Sequence, residues 1–440
     1  MAKVLIIGND ARAHAIGWRL AQDEEVTEVI YADGTPGTHY ELKGKNIRFN
    51  GLPENFRGIA SYIATRSIDM VVVSPEQPLA DGIVDKVYES GFTRVIGCTQ
   101  AASALEADKF FSHDVNDELG IPQAYSIKCH SIREARGAIE EVARRSEGIV
   151  IKARRLAKGK SVLVCDNKKE ALEQIIGHIA RYGSDVLIAE RLYGDELTIF
   201  GLSDGNKVIP FEMTFRDYKK LNDGDIGPNT GGMGAICPVP NVPLDIVHYV
   251  ADKIMTPVVT WMKKEKDIDY KGIMYAGLMV TKKDPRKLKH GLKILEYNVR
   301  LGDPEWEPGA LMIDGSLYKI FSDSLDGKLK SVKFKQGAAC AIVLASKGYP
   351  GYDYKRNLLI SGLNEVDDLE GVKVFHAGTK FRGKAQGRIS QIATASGRVL
   401  VVTAYSPLGL PAARDLGYEV ASKINIPGGF HYRRDIGRIK

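Results

Sequence analysis

The sequence predicts a multidomain protein of mixed α/β and α+β class: a parallel-sheet N-terminal domain, a larger middle domain and a small α+β C-terminal domain. Three observations carry this prediction. The first hundred residues alternate short apolar runs with helical patterns, as expected of a parallel sheet with helices on both faces. The middle holds two apolar runs, Gly272–Thr281 and Leu292–Tyr297, that read as paired strands. A composition change near Leu325–Lys335 reads as a linker, and the last hundred residues hold short strands and one helix.

The 440 residues leave ample material for buried cores, and 44% hydrophobic with 26% charged residues is ordinary for a globular chain. The net charge of +6 is spread along the sequence, which fits an enzyme of anionic metabolites at least as well as a nucleic-acid binder, and no interleaved basic and aromatic patch is present. No apolar run approaches a membrane span, and MAKVLIIGND reads as a strand entering a turn rather than a signal peptide. Five scattered cysteines without a CxxC offer neither a zinc site nor a disulfide framework. A cytoplasmic protein with reduced thiols is expected.

In order, Lys3–Ile7 is predicted as strand, Ala11–Gln22 as helix, Val26–Ala32 as strand, Phe56–Thr65 as helix, Met70–Val73 as strand, Gly82–Ser90 as helix and Thr93–Ile96 as strand. Ligands of such sheets sit beyond the carboxyl ends of strands, here Gly8-Asn9-Asp10 and Ser74-Pro75-Glu76-Gln77-Pro78. Gly8 before a helix start suits phosphate on free N–H groups, but the further glycines of a dinucleotide fingerprint are missing. Asp10 reads equally as a helix N-cap that takes those donors itself. Two helices then flank Ile121–Tyr125. The strand Gly148–Ile151 ends in Lys152 and leads into a basic hairpin tip carrying Arg154, Arg155, Lys158, Gly159 and Lys160. That tip is either a lid over a polyphosphate or a solvated charged turn. After the helix Lys169–Tyr182, the strand Asp185–Glu190 passes into Arg191, Leu192 and Glu196, a passage suited to receiving a base on backbone groups and ribose on Glu196.

The stretch Asn222–Pro238, NDGDIGPNTGGMGAICP, places four glycines within eight residues. Such a run is expected to be neither helix nor central strand, and reads as a substrate-lining loop or as a surface turn. Pro243–Lys264 is expected as one helix. Residues two apart on a strand share a face, so Glu296, Asn298 and Arg300 project together. A carboxylate beside an amide oxygen suits Mg²⁺, with Arg300 next to it for a transferring phosphoryl group; the alternative is an exposed polar strand face. The last domain, with strands Ala339–Ala345, Lys373–Phe375 and Val399–Ala404 and a helix near Leu410–Ile424, shows no catalytic set.

The ordered motifs, rather than composition or periodicity, resemble the phosphoribosylamine–glycine ligases (glycinamide ribonucleotide synthetases) of the ATP-grasp superfamily, over nearly the whole chain. The family's signature segment stands intact as Gly227–Ala235. Further matches are Ser74–Leu79, Glu106–Phe110, Tyr275–Met279 and Glu296–Glu305, then Lys347–Gly351, Val374–Thr379 and Arg433–Gly437 in the last domain. The resemblance implies a Rossmann-like domain over 1–103, an ATP-grasp domain over 104–328 with a lid subdomain near 123–193, and a C-terminal domain over 329–440. It implies ATP-dependent joining of glycine to 5-phosphoribosylamine through an acyl phosphate, in purine biosynthesis, without a protein nucleophile. By position, Glu296 and Asn298 would be Mg²⁺ or Mn²⁺ ligands. Lys109, Lys152, Gly159 and Lys160 would hold ATP phosphates, Glu190, Arg191 and Leu192 the adenine, and Glu196 the ribose. Arg300, Lys152 and Asp217 would be catalytic. Substrate would meet Gly8, Asn9, Pro75, Glu76, Asn229, Thr230, Gly231, Gly232, Met233, Asp303 and Pro304. Partners would be small-molecule substrates alone, with no nucleic acid or membrane, on a monomer or weak homodimer.

The chain departs from the family in three places. Asp10-Ala11-Arg12-Ala13-His14 stands where a double glycine, arginine and glutamate are usual, and an aspartate there repels a ribose phosphate. Ser161 replaces a glycine in the lid, and Arg216-Asp217-Tyr218-Lys219-Lys220 replaces Gln-Asp-His-Lys-Arg. These motivate two alternatives: a paralogue ligating another carboxylate and amine, and a non-catalytic nucleotide-binding homologue. Retention of Lys152, Glu296, Asn298 and Arg300 speaks against the second.

Overall fold

A computed structural model describes residues 1–49, 56–156, 162–282, 285–351, 353–366, 369–383 and 391–438, the side chains of 285–287 excepted. The first sheet is all parallel, in the order Gly44–Ile47, Val26–Ala32, Ala2–Ile7, Met70–Val73, Val95–Ile96. Its strand order reverses between Ala2–Ile7 and Met70–Val73, so a crevice opens where Gly8–Asp10 and Ser74–Gln77 emerge. The helix Ala11–Ala21 begins on Asp10, whose Oδ1 accepts the Ala13 N–H at 2.7 Å; the N-cap reading of Asp10 describes the structure. Two short helices, Pro36–Tyr40 and Glu76–Ala80, and the edge strand Gly44–Ile47 carry no apolar periodicity, which is why pattern reading passes over them.

The middle of the chain builds two antiparallel four-stranded sheets. One runs Ser126–Cys129, Val186–Glu190, Ile149–Ala153, Val162–Cys165, backed by the helices Ile132–Val142 and Lys168–Tyr182. The other runs Val208–Pro210, Asp195–Asp204, Lys271–Val280, Leu292–Asn298. The long helix expected over 243–264 is interrupted: Asp245–Val250 passes through a π-helical turn, Ala251–Met255, into Thr256–Lys266. Pro257 has no amide hydrogen, so the regular i to i−4 ladder cannot run through it.

The fourth large sheet corrects one expectation. Its order is Arg216–Asp217, Gly234–Cys237, Ala338–Ala345, Arg398–Ser406, Val372–His376, all antiparallel. The end of the glycine-rich run is therefore an interior strand. Gly234 is needed there because a Cβ would meet the Ala341 carbonyl oxygen at 2.6 Å. Ala235 and Cys237 pack into the core beneath the first sheet, while Ile236 faces the C-terminal core. Two of the five strands come from the middle segment, so the glycine-rich run is fastened to the last domain by a β-ladder.

Helix Ala11–Ala21 also meets the last domain. The His376 N–H donates to His14 Nδ1 at 2.9 Å, which leaves the His14 Nε2 hydrogen to donate to Glu41 Oε1 at 2.8 Å. Lys373 Nζ lies 2.6 Å from the same oxygen. Burial pushes the Glu41 carboxyl up, but His14 and Lys373 outweigh it and hold it at about 2. A folded pKa below the ordinary 4.5 stabilises the fold above pH 4.5, and that contribution fades as pH falls toward 2. Glu41→Gln is expected to cost about 3 kcal/mol at pH 7 in denaturant titrations. The difference from the wild type should shrink between pH 4.5 and 2.

All five cysteines are buried free thiols. No helix among the described residues is long and apolar enough to cross a membrane.

Candidate active site

Where the two four-stranded sheets face each other, strands and helix ends converge on Glu296. Lys152 comes from the strand Ile149–Ala153, Lys109 from the first turn of the helix Lys109–Leu119, and Lys219 from the turn after Arg216–Asp217. Lys219 Nζ lies 2.9 Å from Glu196 Oε2 and 3.7 Å from Glu296 Oε1. Burial would raise the Glu296 pKa, yet Lys219, Lys109, Lys152 and Arg300 together hold it at about 2. Lys152 shows the reverse: burial lowers it to about 8, Lys109 and Lys219 add to the fall, and Glu296 opposes it. Its Nζ donates to the Leu295 carbonyl at 3.0 Å. Burial disfavours the charged form of Lys219 as well, but the carboxylates of Glu196 and Glu296 win and push it well above its ordinary value.

A carboxylate ringed by four cations, with Glu196 sharing Lys219, has the excess positive charge that suits a polyphosphate. Glu296 and Asn298 offer a carboxylate and an amide oxygen, and Asn298 Oδ1 already accepts from Arg300 Nη2 at 3.1 Å. No group of three or more His, Cys, Asp or Glu able to hold a metal occurs among the described residues. This donor set fits a hard divalent ion that takes its other ligands from phosphates and water, and does not fit an all-protein cage.

Of the nucleotide residues expected from sequence, Glu190 is committed to protein partners: its Oε1 accepts from the Tyr125 N–H at 3.1 Å and from Lys293 Nζ at 3.0 Å. The Arg191 side chain turns away to pair with Asp166 and lies 5.1 Å from the Tyr193 ring centre. Leu192 is half-buried beside them. Glu196 faces Lys219 rather than open space. Gly159 and Lys160 lie outside the described residues.

Adjoining this cluster, a cavity of about 640 Å³ opens at the crevice of the parallel sheet. Gly8, Asn9, Pro75, Glu76, Gly231 and Asp303 line it, together with Arg300. Arg300 bridges the two regions: Nη2 donates to Glu106 Oε1 at 3.0 Å as well as to Asn298, and Nε lies 3.6 Å from Glu76 Oε2. At the far end, Asp10 Oδ2 accepts from Arg12 Nη2 at 2.7 Å and Asp10 Oδ1 accepts from the Ser74 hydroxyl at 3.1 Å. Burial raises the Asp10 pKa, but Arg12 and the Ala13 N–H outweigh it and keep it below the ordinary value.

The other expected substrate residues shape the loop from behind. Met233 is fully buried, so its side chain is closed to substrate. Thr230 Oγ1 donates to the Lys219 carbonyl at 2.8 Å and accepts from the Gly232 N–H at 3.0 Å. Asn229 ends a short strand paired with Lys220, and Pro304 packs over Gly232. Asp217 lies under the same glycine with a buried, unpartnered Oδ1; burial and the neighbouring Glu305 push its carboxyl well above the usual range.

The last domain, in which the sequence shows no catalytic set, nevertheless reaches the cavity. Arg398, at the start of the strand Arg398–Ser406, also lines the cavity, and its Nη1 donates to the carbonyls of Gly231 and Asp303. Nothing near Arg398 in sequence signals this; the sheet that joins the two segments brings it there. Lys219 and Glu106 also went unassigned, although both stand inside segments that sequence reading singled out.

The chain matches the N domain of phosphoribosylglycinamide synthetase over residues 2–106, its ATP-grasp (A) domain over 107–306 and its C domain over 339–439. The chain belongs to the phosphoribosylglycinamide synthetase family. It is 38% identical over 441 residues to a phosphoribosylamine–glycine ligase of Vibrio vulnificus, covering 99% of this chain and 97% of that one. A Rhodopirellula baltica protein of the same name is 36% identical over 446 residues, covering 98% and 96%. The crystal structure of the Thermotoga maritima phosphoribosylamine–glycine ligase superposes with a TM-score of 0.78 at 28% identity, covering 99% of this chain and 100% of that one. Phosphoribosylglycinamide synthetases are ATP-dependent ligases, and ATP-grasp enzymes use ATP with a divalent metal.

In this family setting the depressed Lys152 gives a measurable expectation. A lysine of pKa about 8 is partly neutral at pH 8.5, and the negative charge of a bound nucleotide raises it again. ATP binding is therefore expected to take up a fraction of a proton at pH 8.5 and almost none at pH 6.5. Calorimetry in buffers of different ionisation enthalpy reads this directly, and Lys152→Met should abolish the difference.

Proposed function

We propose that this chain joins glycine to 5-phosphoribosylamine, giving glycinamide ribonucleotide, ADP and phosphate in de novo purine biosynthesis. A glycine carboxylate oxygen attacks the γ-phosphorus of ATP, ADP leaves, and an acyl phosphate forms. The amine of phosphoribosylamine then attacks the acyl carbon, phosphate leaves, and the amine gives up a proton. No protein nucleophile takes part, so positioning and charge neutralisation carry the catalysis.

The observation that supports this reading best is the junction at Arg300, which donates to Asn298 on one side and lines the substrate cavity on the other. In this reading Lys109, Lys152 and Lys219 hold the phosphates. Glu296 and Asn298 would hold Mg²⁺ or Mn²⁺, which would neutralise nucleotide phosphate charge. The backbone at Glu190–Leu192 receives the base. Arg300 steadies the transferring phosphoryl group. Asp217 has the raised carboxyl pKa that suits exchange of the amine's proton. Gly8, Asn9, Pro75, Glu76, Gly231 and Asp303 enclose the amine substrate, and Asn229, Thr230, Gly232, Met233 and Pro304 fix the loop that faces it.

The test is formation of ADP by the purified protein with ATP and Mg²⁺. ADP is expected only when glycine and phosphoribosylamine are both present. Turnover with another amine and acid, but none with this pair, would overturn the reading.

A further inference from the structure

We propose that Arg398, supplied by the C-terminal domain, is the residue that recognises a substrate oxyanion in the cavity: the phosphate of the ribosylamine or the carboxylate of glycine. The inference rests on the ligase reading and assigns a recognition role to one side chain within it.

Three guanidinium groups line the cavity; Arg12 is spent on protein, and Arg300 gives both terminal nitrogens to protein acceptors while its Nε is buried without a hydrogen-bond partner among the described residues. Arg12 has a side chain only 4% exposed. Its Nε donates to Ser74 Oγ at 3.0 Å, its Nη1 to the Leu301 carbonyl at 2.7 Å and its Nη2 to Asp10. Arg300 gives its Nη1 to the Leu301 carbonyl at 3.1 Å and its Nη2 to Glu106 and Asn298.

Arg398 differs. Its Nη1 is anchored to the carbonyls of Gly231 and Asp303 and lies 3.0 Å from Asp303 Oδ1. Its Nε and Nη2 have no acceptor among the described residues. The side chain is 21% exposed, so these donors are not sealed in the core, and the residue borders the cavity. A guanidinium fixed through one nitrogen, with its other donors uncommitted, is preorganised for a planar or tetrahedral oxyanion. The other donor set on this cavity, at the start of the helix Ala11–Ala21, is occupied by the Asp10 carboxylate.

Tyr349 acts as a positioning residue beside it. Its hydroxyl accepts the Gly231 N–H at 2.9 Å, so the last domain grips both ends of Gly231, by carbonyl and by amide. A Cβ at Gly231 would stand 3.3 Å from both Arg398 Cζ and the Tyr349 hydroxyl, a spacing that keeps the guanidinium close against the loop.

The experiment is steady-state kinetics of Arg398→Ala and Arg398→Lys, with melting curves for both. Loss of a charged double hydrogen bond is expected to raise one Michaelis constant on the order of 10- to 100-fold, leaving that for ATP within about twofold. A rise confined to phosphoribosylamine assigns the phosphate, and a rise confined to glycine assigns the carboxylate. The lysine variant, which keeps the charge without the fork, should lie between alanine and wild type, and it carries the test if the alanine variant does not fold. Unchanged constants for both substrates, or an equal rise in all three including ATP, would overturn the proposal. If the wild type itself does not turn over this substrate pair, the ligase reading fails instead.

Discussion

Replacing Glu296 with glutamine is expected to reduce turnover on the order of 10³-fold while the protein stays folded. Lys219, Lys109, Lys152 and Arg300 surround Glu296 and together hold its carboxyl at about 2 against the effect of burial. Glutamine keeps the shape and one acceptor oxygen but removes the charge. The four cations then face one another with less compensation, and the proposed metal site would lose the carboxylate beside Asn298. ADP formation at saturating substrates, together with the melting temperature, separates this outcome from unfolding. Near wild-type turnover in the variant would remove Glu296 from the metal site.

Gly232→Ala should be nearly as damaging by a different route. Gly232 has φ of +107°, where a side chain is strained, and a Cβ would meet Pro304 Cδ at 2.4 Å and Asp217 Oδ1 at 2.7 Å. Neither neighbour is free to yield: Pro304 is a ring, and Asp217 is buried against the loop. The strain alone costs about 1–3 kcal/mol, and the clash pushes the loop away from the Asp217 carboxyl. A kcat about 100-fold below wild type is expected, with a smaller effect on ATP affinity, since Lys109 and Lys152 stand on other elements. Single-turnover kinetics with a separate measurement of nucleotide binding would show this split. A variant with wild-type kcat would mean that the loop has room to move.

Much of this was legible in the sequence where the physics is local. The parallel sheet followed from apolar runs such as Val26–Ala32 and Met70–Val73, whose observed bounds match the expected ones. The pairing of Asn298 with Arg300 followed from their spacing of two, although the strand itself ends at Asn298 and Arg300 stands just beyond it. What sequence could not show was pairing at long range. Gly234–Cys237 becomes an interior strand because Ala338–Ala345, a hundred residues later, supplies its partner. Arg398 reaches the cavity through that same sheet, and Lys219 acquires its importance only when two separate strands bring Glu196 and Glu296 to it. The tool of local pattern also fails at Pro36–Tyr40, too short to show a helical period.

The central claim is that glycine is activated as an acyl phosphate in the cation-lined site and then captured by the amine from the adjoining cavity. It is tested most directly with glycine labelled with ¹⁸O in both carboxylate oxygens, in the presence of ATP, Mg²⁺ and phosphoribosylamine, by mass analysis of the inorganic phosphate released. The account predicts one ¹⁸O in each phosphate formed, with ADP and the amide produced in equal amount. Unlabelled phosphate accompanying amide formation would contradict it.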